Sequence, residues 1–203
     1  MQLKCPLMNI GIAVSMAVCG MCLYAKTSSA NGTVAKVVEK SDAVAQFRYA
    51  EMLRDGRGVA KNMREAVRWT RKAADAGHAH AQCQMGLFYM NGLGVDKDED
   101  KAIEWLNKAA AQNHVQAQYN LGIYYARFSD RNSRSLAMKW LNEAVKQDYA
   151  DAQYNLAKLY LNSQHPASRE QGAGRRAISL LRRAVAQGNA RAKEMIKELG
   201  VKE

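Results

Sequence analysis

Read at 100° per residue, the apolar positions from Ala43 onward fall into stripes of helical period. The dipeptide Ala-Gln recurs at Ala45, Ala81, Ala117 and Ala152. With that alanine as position 1, positions 1, 5, 8, 9 and 12 cluster on one side of a helix. They are Ala81, Met85, Phe88, Tyr89 and Gly92 in the second copy, and Ala117, Leu121, Tyr124, Tyr125 and Phe128 in the third. Such a stripe predicts a helix buried along that side. Position 6 is Ala50, Gly86, Gly122 or Ala157. A glycine inside a helix costs about 1 kcal/mol relative to alanine, so a small residue here predicts close approach of a neighbouring helix. A second helical stretch follows each first one, running Glu65 to Ala74 and Lys101 to Ala110 in the first two copies. Its buried side consists of an alanine, the next aliphatic residue, a tryptophan and an alanine pair.

Stop and start signals separate the two stretches. Gly56-Arg-Gly58-Val59 and Gly92-Leu-Gly94-Val95 supply residues that tolerate positive φ after a helix. Asn62, with Glu65 three residues on, resembles a capping box. Asp98 and Ser133 occupy the same slot in the next two copies. The fourth copy has Ala173 there, so its second helix should fray, and it carries a longer loop from Asn162 to Gly174 with His165-Pro166.

The copies recur at steps of 36, 36 and 35 residues, and Trp69, Trp105, Trp140 and Leu180 run in parallel. A period of this length marks a solenoid. The fold class is therefore all-α, with four antiparallel helix pairs at about 43–78, 79–114, 115–149 and 150–189. Residues 190–199 begin a first helix without a second. With Lys193, Glu194, Lys197 and Glu198 outward, they form the capping helix a solenoid end requires.

The N-terminus has a different pattern. Lys4 is followed by an uncharged, mostly apolar run from Leu7 to Tyr24, and then by Ser28 and Ala30, small residues suited to a signal peptidase. A charged start, an apolar run and a small-residue exit predict a secretory signal over residues 1–30, cleaved after Ala30. Left uncleaved, the run of about 18 residues could just span a bilayer and anchor the chain in the inner membrane. A lipoprotein is disfavoured, because neither Cys19 nor Cys22 follows a small residue. Residues 31–42 are a linker or N-terminal cap. All these readings place the repeats outside the cytoplasm, in the periplasm or secreted.

Composition narrows the picture. The chain has 203 residues, 48% of them hydrophobic, and only 2 prolines, which argues against disorder. Three of the 4 cysteines lie in the expected signal, leaving Cys83. One thiol makes no internal disulfide, so the fold must rest on burial, and Cys83 is most simply a small buried hydrophobe.

The series Ala-Gln-x-x-Leu-Gly-x-x-Tyr, Gly-x-Gly-Val-x-x-Asp and Lys-Ala-x-x-Trp-x-x-Lys-Ala-Ala resembles the Sel-one-like repeat, a relative of the tetratricopeptide repeat. The second copy matches best, through Met85-Gly86, Tyr89, Gly92-Leu-Gly94-Val95, Asp98, Lys101-Ala102, Trp105 and Lys108-Ala109-Ala110. The match covers roughly residues 43 to 199. The resemblance implies a right-handed superhelix that serves as an adaptor for other proteins. The paired cysteines that some family members carry in every repeat are missing here.

Candidates for chemistry are weak. His78-Ala-His80 invites a metal reading, but residues two apart point to different sides of a helix and no third ligand is placed. His78 and His114 share one repeat position with Tyr149 and Asn189, which reads as an inter-repeat turn. Asp96-Lys-Asp98-Glu-Asp100 opens like a calcium loop but continues with Lys101 and Asn107 where glycine and glutamate are needed. Gly56-x-Gly58 and Gly92-x-Gly94 follow no strand and lack a third glycine. No catalytic constellation, cofactor site or metal site is expected.

The formal charge is +11, of which a cleaved signal would remove Lys4 and Lys26. Arg175, Arg176, Arg182 and Arg183 stack on the outer side of the last second helix, as a solvated face or as a patch for an acidic protein surface or anionic lipid. Nucleic acid is not an expected partner of an exported protein, and membrane contact is expected only through an uncleaved N-terminus. Positions 3, 4, 7 and 11 of the first helices point away from the core stripe, on the side that lines the concave groove of such superhelices. Leu87, Tyr119, Ile123 and Tyr154 place apolar surface there, with Arg127 and Lys158 beside them. Aromatics with polar neighbours suit a protein interface. The rings at position 3, Tyr119 and Tyr154, could equally pack onto the preceding second helix.

The expected function is thus an exported, non-enzymatic scaffold that binds a protein in its groove and regulates or inhibits it. By resemblance, short exported proteins of this type include periplasmic immunity proteins that neutralise a type VI secretion phospholipase effector.

Overall fold

The computed structural model describes residues 28–39, 41–162 and 172–201, with residues 28–33 described by their backbone. Residues 1–27 of the expected signal and the His165-Pro166 segment lie outside the described residues. The elements are α1 (Ser28–Glu39), α2 (Ala43–Asp55), α3 (Met63–Asp75), α4 (Ala79–Asn91), α5 (Glu99–Ala111), α6 (Val115–Tyr125), α7 (Arg131–Lys146), α8 (Ala150–Leu161), α9 (Ala173–Ala186) and α10 (Ala190–Glu198). Among the described residues every regular element is an α-helix. The all-α solenoid of helix pairs predicted from the sequence is the fold observed. The chain divides after Ala102 into two compact units.

In the first unit α2 packs on α3 and α3 on α4, with α1 laid against α2. The core gathers Val38, Tyr49, Leu53, Val59, Ala66 and Trp69, and Tyr49 meets Trp69 edge-on at 5.5 Å. Residues 31–42 are therefore mostly helix. Val34, Ala35 and Val38 of α1 cover the apolar side of the first repeat, which no preceding repeat shelters. Cys83 is buried, 3% exposed, as a small hydrophobe.

In the second unit α6 pairs with α7, α8 with α9, and α10 closes on α9. Leu141, Leu156, Leu181 and Ile196 anchor its core. Gly122 explains the small residue at position 6. A Cβ there would stand 2.7 Å from Leu141 Cγ and 3.2 Å from the Leu141 backbone nitrogen, so α7 is seated where only a hydrogen fits.

The third repeat departs from the sequence expectation. Phe128 is not in the core stripe: α6 stops at Tyr125, Phe128 lies beyond it and is 43% exposed. Tyr124 and Tyr125 are only half-buried. The repeat lacks the left-handed glycine that ends α2 at Gly56 and α4 at Gly92. Arg127, expected on the helix, also falls in the connection. Nor is Ser133 the cap. Asp130 accepts from the Ser133 backbone N–H at 2.9 Å, and α7 starts at Arg131. A carboxylate is the stronger acceptor at the positive end of a helix. Trp140 is half-buried, whereas Trp69 and Trp105 are 1% and 8% exposed.

Elsewhere the caps follow the sequence with two adjustments. Asn62 and Asp98 accept from Glu65 and Lys101 N–H at 3.1 and 2.9 Å. The capping box is half made, because the Glu65 carboxylate pairs with Arg68 while Asn62 N–H donates to the Leu53 carbonyl. α9 starts after Gly172 without a side-chain cap, and Gly174 already lies inside it, so the long loop ends earlier than expected. In α10, Ala192 and Ile196 face the core, and Lys193, Glu194, Lys197 and Glu198 face solvent.

Trp105→Ala should cost about 3–5 kcal/mol through the cavity it leaves, and Trp140→Ala clearly less. Urea unfolding measures both, and equal losses would contradict the burial difference. Gly122→Ala should lower the unfolding midpoint, although alanine is the better helix former; a raised midpoint would mean that α6 and α7 can separate freely.

Candidate functional site

His78 and His114 each cap the helix that follows them. His78 Nδ1 accepts from Ala81 N–H at 3.2 Å, and His114 Nδ1 from Ala117 N–H at 3.3 Å. Asn189 caps α10 from the same slot at 3.0 Å, while Tyr149 makes no such bond. The sequence signal was Asn189, a common cap residue in register with two histidines. His78 precedes its helix in an extended conformation. Its ring and that of His80 therefore do not diverge: they lie 5.7 Å apart, both beside Phe47. The described residues contain no cluster of three or more metal-binding side chains. Burial, and then His80, hold the His78 imidazole below its ordinary range, with Asp42 and Glu51 opposing.

Five of the six residues singled out for partner binding come together in the second unit. On α6 and α8, Tyr119 Oη accepts from Asn155 Nδ2 at 3.4 Å, and Tyr119 leans on Tyr149 with centroids 5.2 Å apart. Tyr154 lies beneath two cations, Lys158 at 5.7 Å and Arg191 at 5.2 Å. Arg191 also pairs with Asp151 at 2.6 Å, which raises the pKa of the guanidinium. Ile123 and Lys158 line one cavity and Arg127 the next. Burial raises the Tyr119 phenol above its usual range, and nearby Asp151 adds to this. The position-3 rings lean on the junction that follows them: Phe47 on His78, Tyr119 on Tyr149.

Leu87 stands apart in the first unit, half-buried on α4. In the first unit Glu51 and Asp55 are engaged, since Arg54 contacts Asp55 at 2.8 Å and Glu51 at 3.7 Å, and Arg57 contacts Asp55 at 2.8 Å, while Arg48 forms no ion pair among the described residues. The second unit has no such carboxylates beside its cations at these positions. Among the described residues Arg127, Arg134 and Lys158 form no ion pair. Sequence reasoning placed Asn155 on the groove side but missed Arg134, Leu159 and Arg191. A signal was present, because Asp130 is the one acidic residue between Val115 and Leu141.

Comparison with known proteins gives three findings. A family model described as the Sel1 repeat matches residues 43–78, 79–114, 115–149 and 150–189. Among solved structures the chain is similar to a Sel1 repeat protein from Oxalobacter formigenes, at TM-score 0.69 and 30% identity over 84% of this chain and 48% of that one. It is similar to a protective antigen of uropathogenic Escherichia coli strains displaying an SLR fold, at 0.74 and 28% over 92% and 39%. It shares the fold of an immunity protein from Pseudomonas aeruginosa, at 0.53 and 23% over 92% and 70%. The chain spans less than half the length of the first two. None of the curated proteins compared with it matches.

The cap at His78 makes stability depend on pH. Burial disfavours the imidazolium in the folded chain, so on acidification the unfolded chain takes up the proton first. The stabilisation is complete above the ordinary imidazole pKa of about 6.5 and is lost as pH falls from there through the lower folded value. His78→Asn keeps an acceptor in the cap slot. It should flatten the decline of urea-unfolding stability below about pH 6.5 and leave alkaline stability unchanged. An undiminished decline would remove His78 as its source.

Proposed function

The chain belongs to the Sel1 repeat family, and on that premise we propose that it is an exported, non-enzymatic scaffold that grips another protein with the α6–α8 face of its second unit. The observation that carries this reading is the combination there of half-buried Tyr119, Ile123 and Tyr154 with the cations Arg127 and Lys158, which have no carboxylate partner among the described residues. Rigid aromatics ringed by polar groups make efficient anchors for a partner, and stacked repeats hold them in fixed relation. Leu87 offers apolar surface at the corresponding position of the first unit. No helix among the described residues is long and apolar enough to cross a membrane. Export rests on the N-terminal pattern, with cleavage after Ala30 releasing the scaffold into the periplasm and an uncleaved segment tethering it to the inner membrane.

A narrower reading is a periplasmic immunity protein that binds and neutralises a type VI secretion phospholipase effector. It is favoured by the fold shared with the Pseudomonas aeruginosa immunity protein over nearly the whole of this chain, and it uses the same face. A phospholipase encoded beside this chain, and inhibited by it in a purified assay, would select the narrower role.

The test is affinity capture from the envelope fraction with the unaltered chain and with Ile123→Asp and Leu87→Asp variants. Ile123→Asp should weaken retention of the captured partner at least about tenfold, with far-UV circular dichroism unchanged. Equal retention by folded Ile123→Asp would refute the face assignment.

A further inference from the structure

We propose that the cavity at the C-terminal ends of α6 and α8 seats an acidic peptide segment of the partner, with an apolar side chain as its anchor. This deepens, and rests on, the scaffold reading above. The cavity has a volume of about 400 Å³, within the range of roughly 300–1,000 Å³ typical of ligand pockets. Ile123, Ala126, Leu141 and Leu159 form its apolar wall, with Asn155 and Lys158 at the rim. A smaller cavity of about 130 Å³ adjoins it, sharing Ala126 and Leu159 and adding Arg127, Phe128 and Arg134.

The origin of this site lies in the third repeat's connection. The first connection, Gly56–Asn62, tucks Val59 into the core at 6% exposure. The third, Ala126–Asp130, has no aliphatic counterpart and leaves Phe128 exposed. Gly122 draws Leu141 close enough to form the cavity wall.

Charge selects the occupant. Arg127, Arg134 and Lys158 surround the two cavities, and none forms an ion pair among the described residues. The nearby carboxylate, Asp130, is engaged in capping α7. Another cavity of this unit, about 380 Å³ between Gln147 and Asn189, differs: its carboxylates Asp148 and Asp151 are already held by Arg183 and Arg191. An apolar floor with unpaired cations around it complements a segment in which acidic residues flank an apolar one. Carboxylates placed there would gain charge-assisted hydrogen bonds, and the anchor would lose its hydration to an apolar wall.

The probe is a pool of acetylated hexapeptides with two acidic residues on each side of two apolar ones, titrated into the full chain with labelled Ile and Leu methyl groups. The expected result is saturable shifts at Ile123 and Leu159. Binding should fall at least tenfold in Arg127→Glu/Lys158→Glu, two exposed positions whose reversal leaves the fold intact by circular dichroism. No saturable shift, equal binding of a pool with basic flanks, or undiminished binding by the reversed variant would overturn the proposal. The natural partner separates the two levels of inference. If the reversed variant retains it fully while Ile123→Asp loses it, the acidic segment is wrong and the scaffold face stands. If both variants retain it, the face itself is wrong.

Discussion

Each repeat presents a helix side rich in alanine and glycine that no single helix pair can cover. The buried alanines Ala81, Ala117 and Ala152 at position 1, with Ala50, Gly86, Gly122 and Ala157 at position 6, remove side-chain bulk where one helix crosses the next. Small side chains bury little area each, so the stabilisation comes from backbone-close approach along the whole contact, filled from the other side by Trp69, Trp105 and the leucines of α7 to α9. The same constraint accounts for both ends. α1 with Val38 covers the first repeat, and α10 with Ala192 and Ile196 covers the last.

Polar groups then fix how repeats follow one another. Gln82 and Gln118 are buried and donate back to the carbonyls of Ala74 and Ala110, at 3.1 and 3.5 Å. Gln147 and Gln187 reach the glutamines of neighbouring helices, Gln118 and Gln153, at 2.8 and 3.2 Å. A buried amide is costly unless it is bonded, so these side chains admit one spacing between helices and reject slipped alternatives. The histidine and asparagine caps act at the same junctions, joining the end of one repeat to the start of the next helix.

The third repeat is where the pattern relaxes, and the candidate site is there. Without the glycine-valine connection α6 ends early, an aromatic group forms around Tyr124, Tyr125 and Phe128 with ring centroids 5.3 Å apart, and cavities open beside unpaired cations. Local departures from a repeat's own rule mark positions that folding alone does not require.

Periodicity alone determined the helices, their pairing, the repeat boundaries and the need for a terminal cap, because a stripe of period 3.6 and its recurrence are properties of the chain read in one dimension. The burial of Cys83 was legible for the same reason, as was the apolar character of Tyr119, Ile123 and Tyr154. What periodicity could not convey was where each helix stops and which charges find partners. Asp130 displaces Ser133 as a cap because a carboxylate competes better for free backbone N–H groups. Phe128 leaves the core because no glycine turns the chain there. Arg54 is neutralised by Asp55 and Glu51 while Lys158 is left to face a cavity. Those outcomes depend on distances between side chains brought together by packing, and only the tertiary structure decided them.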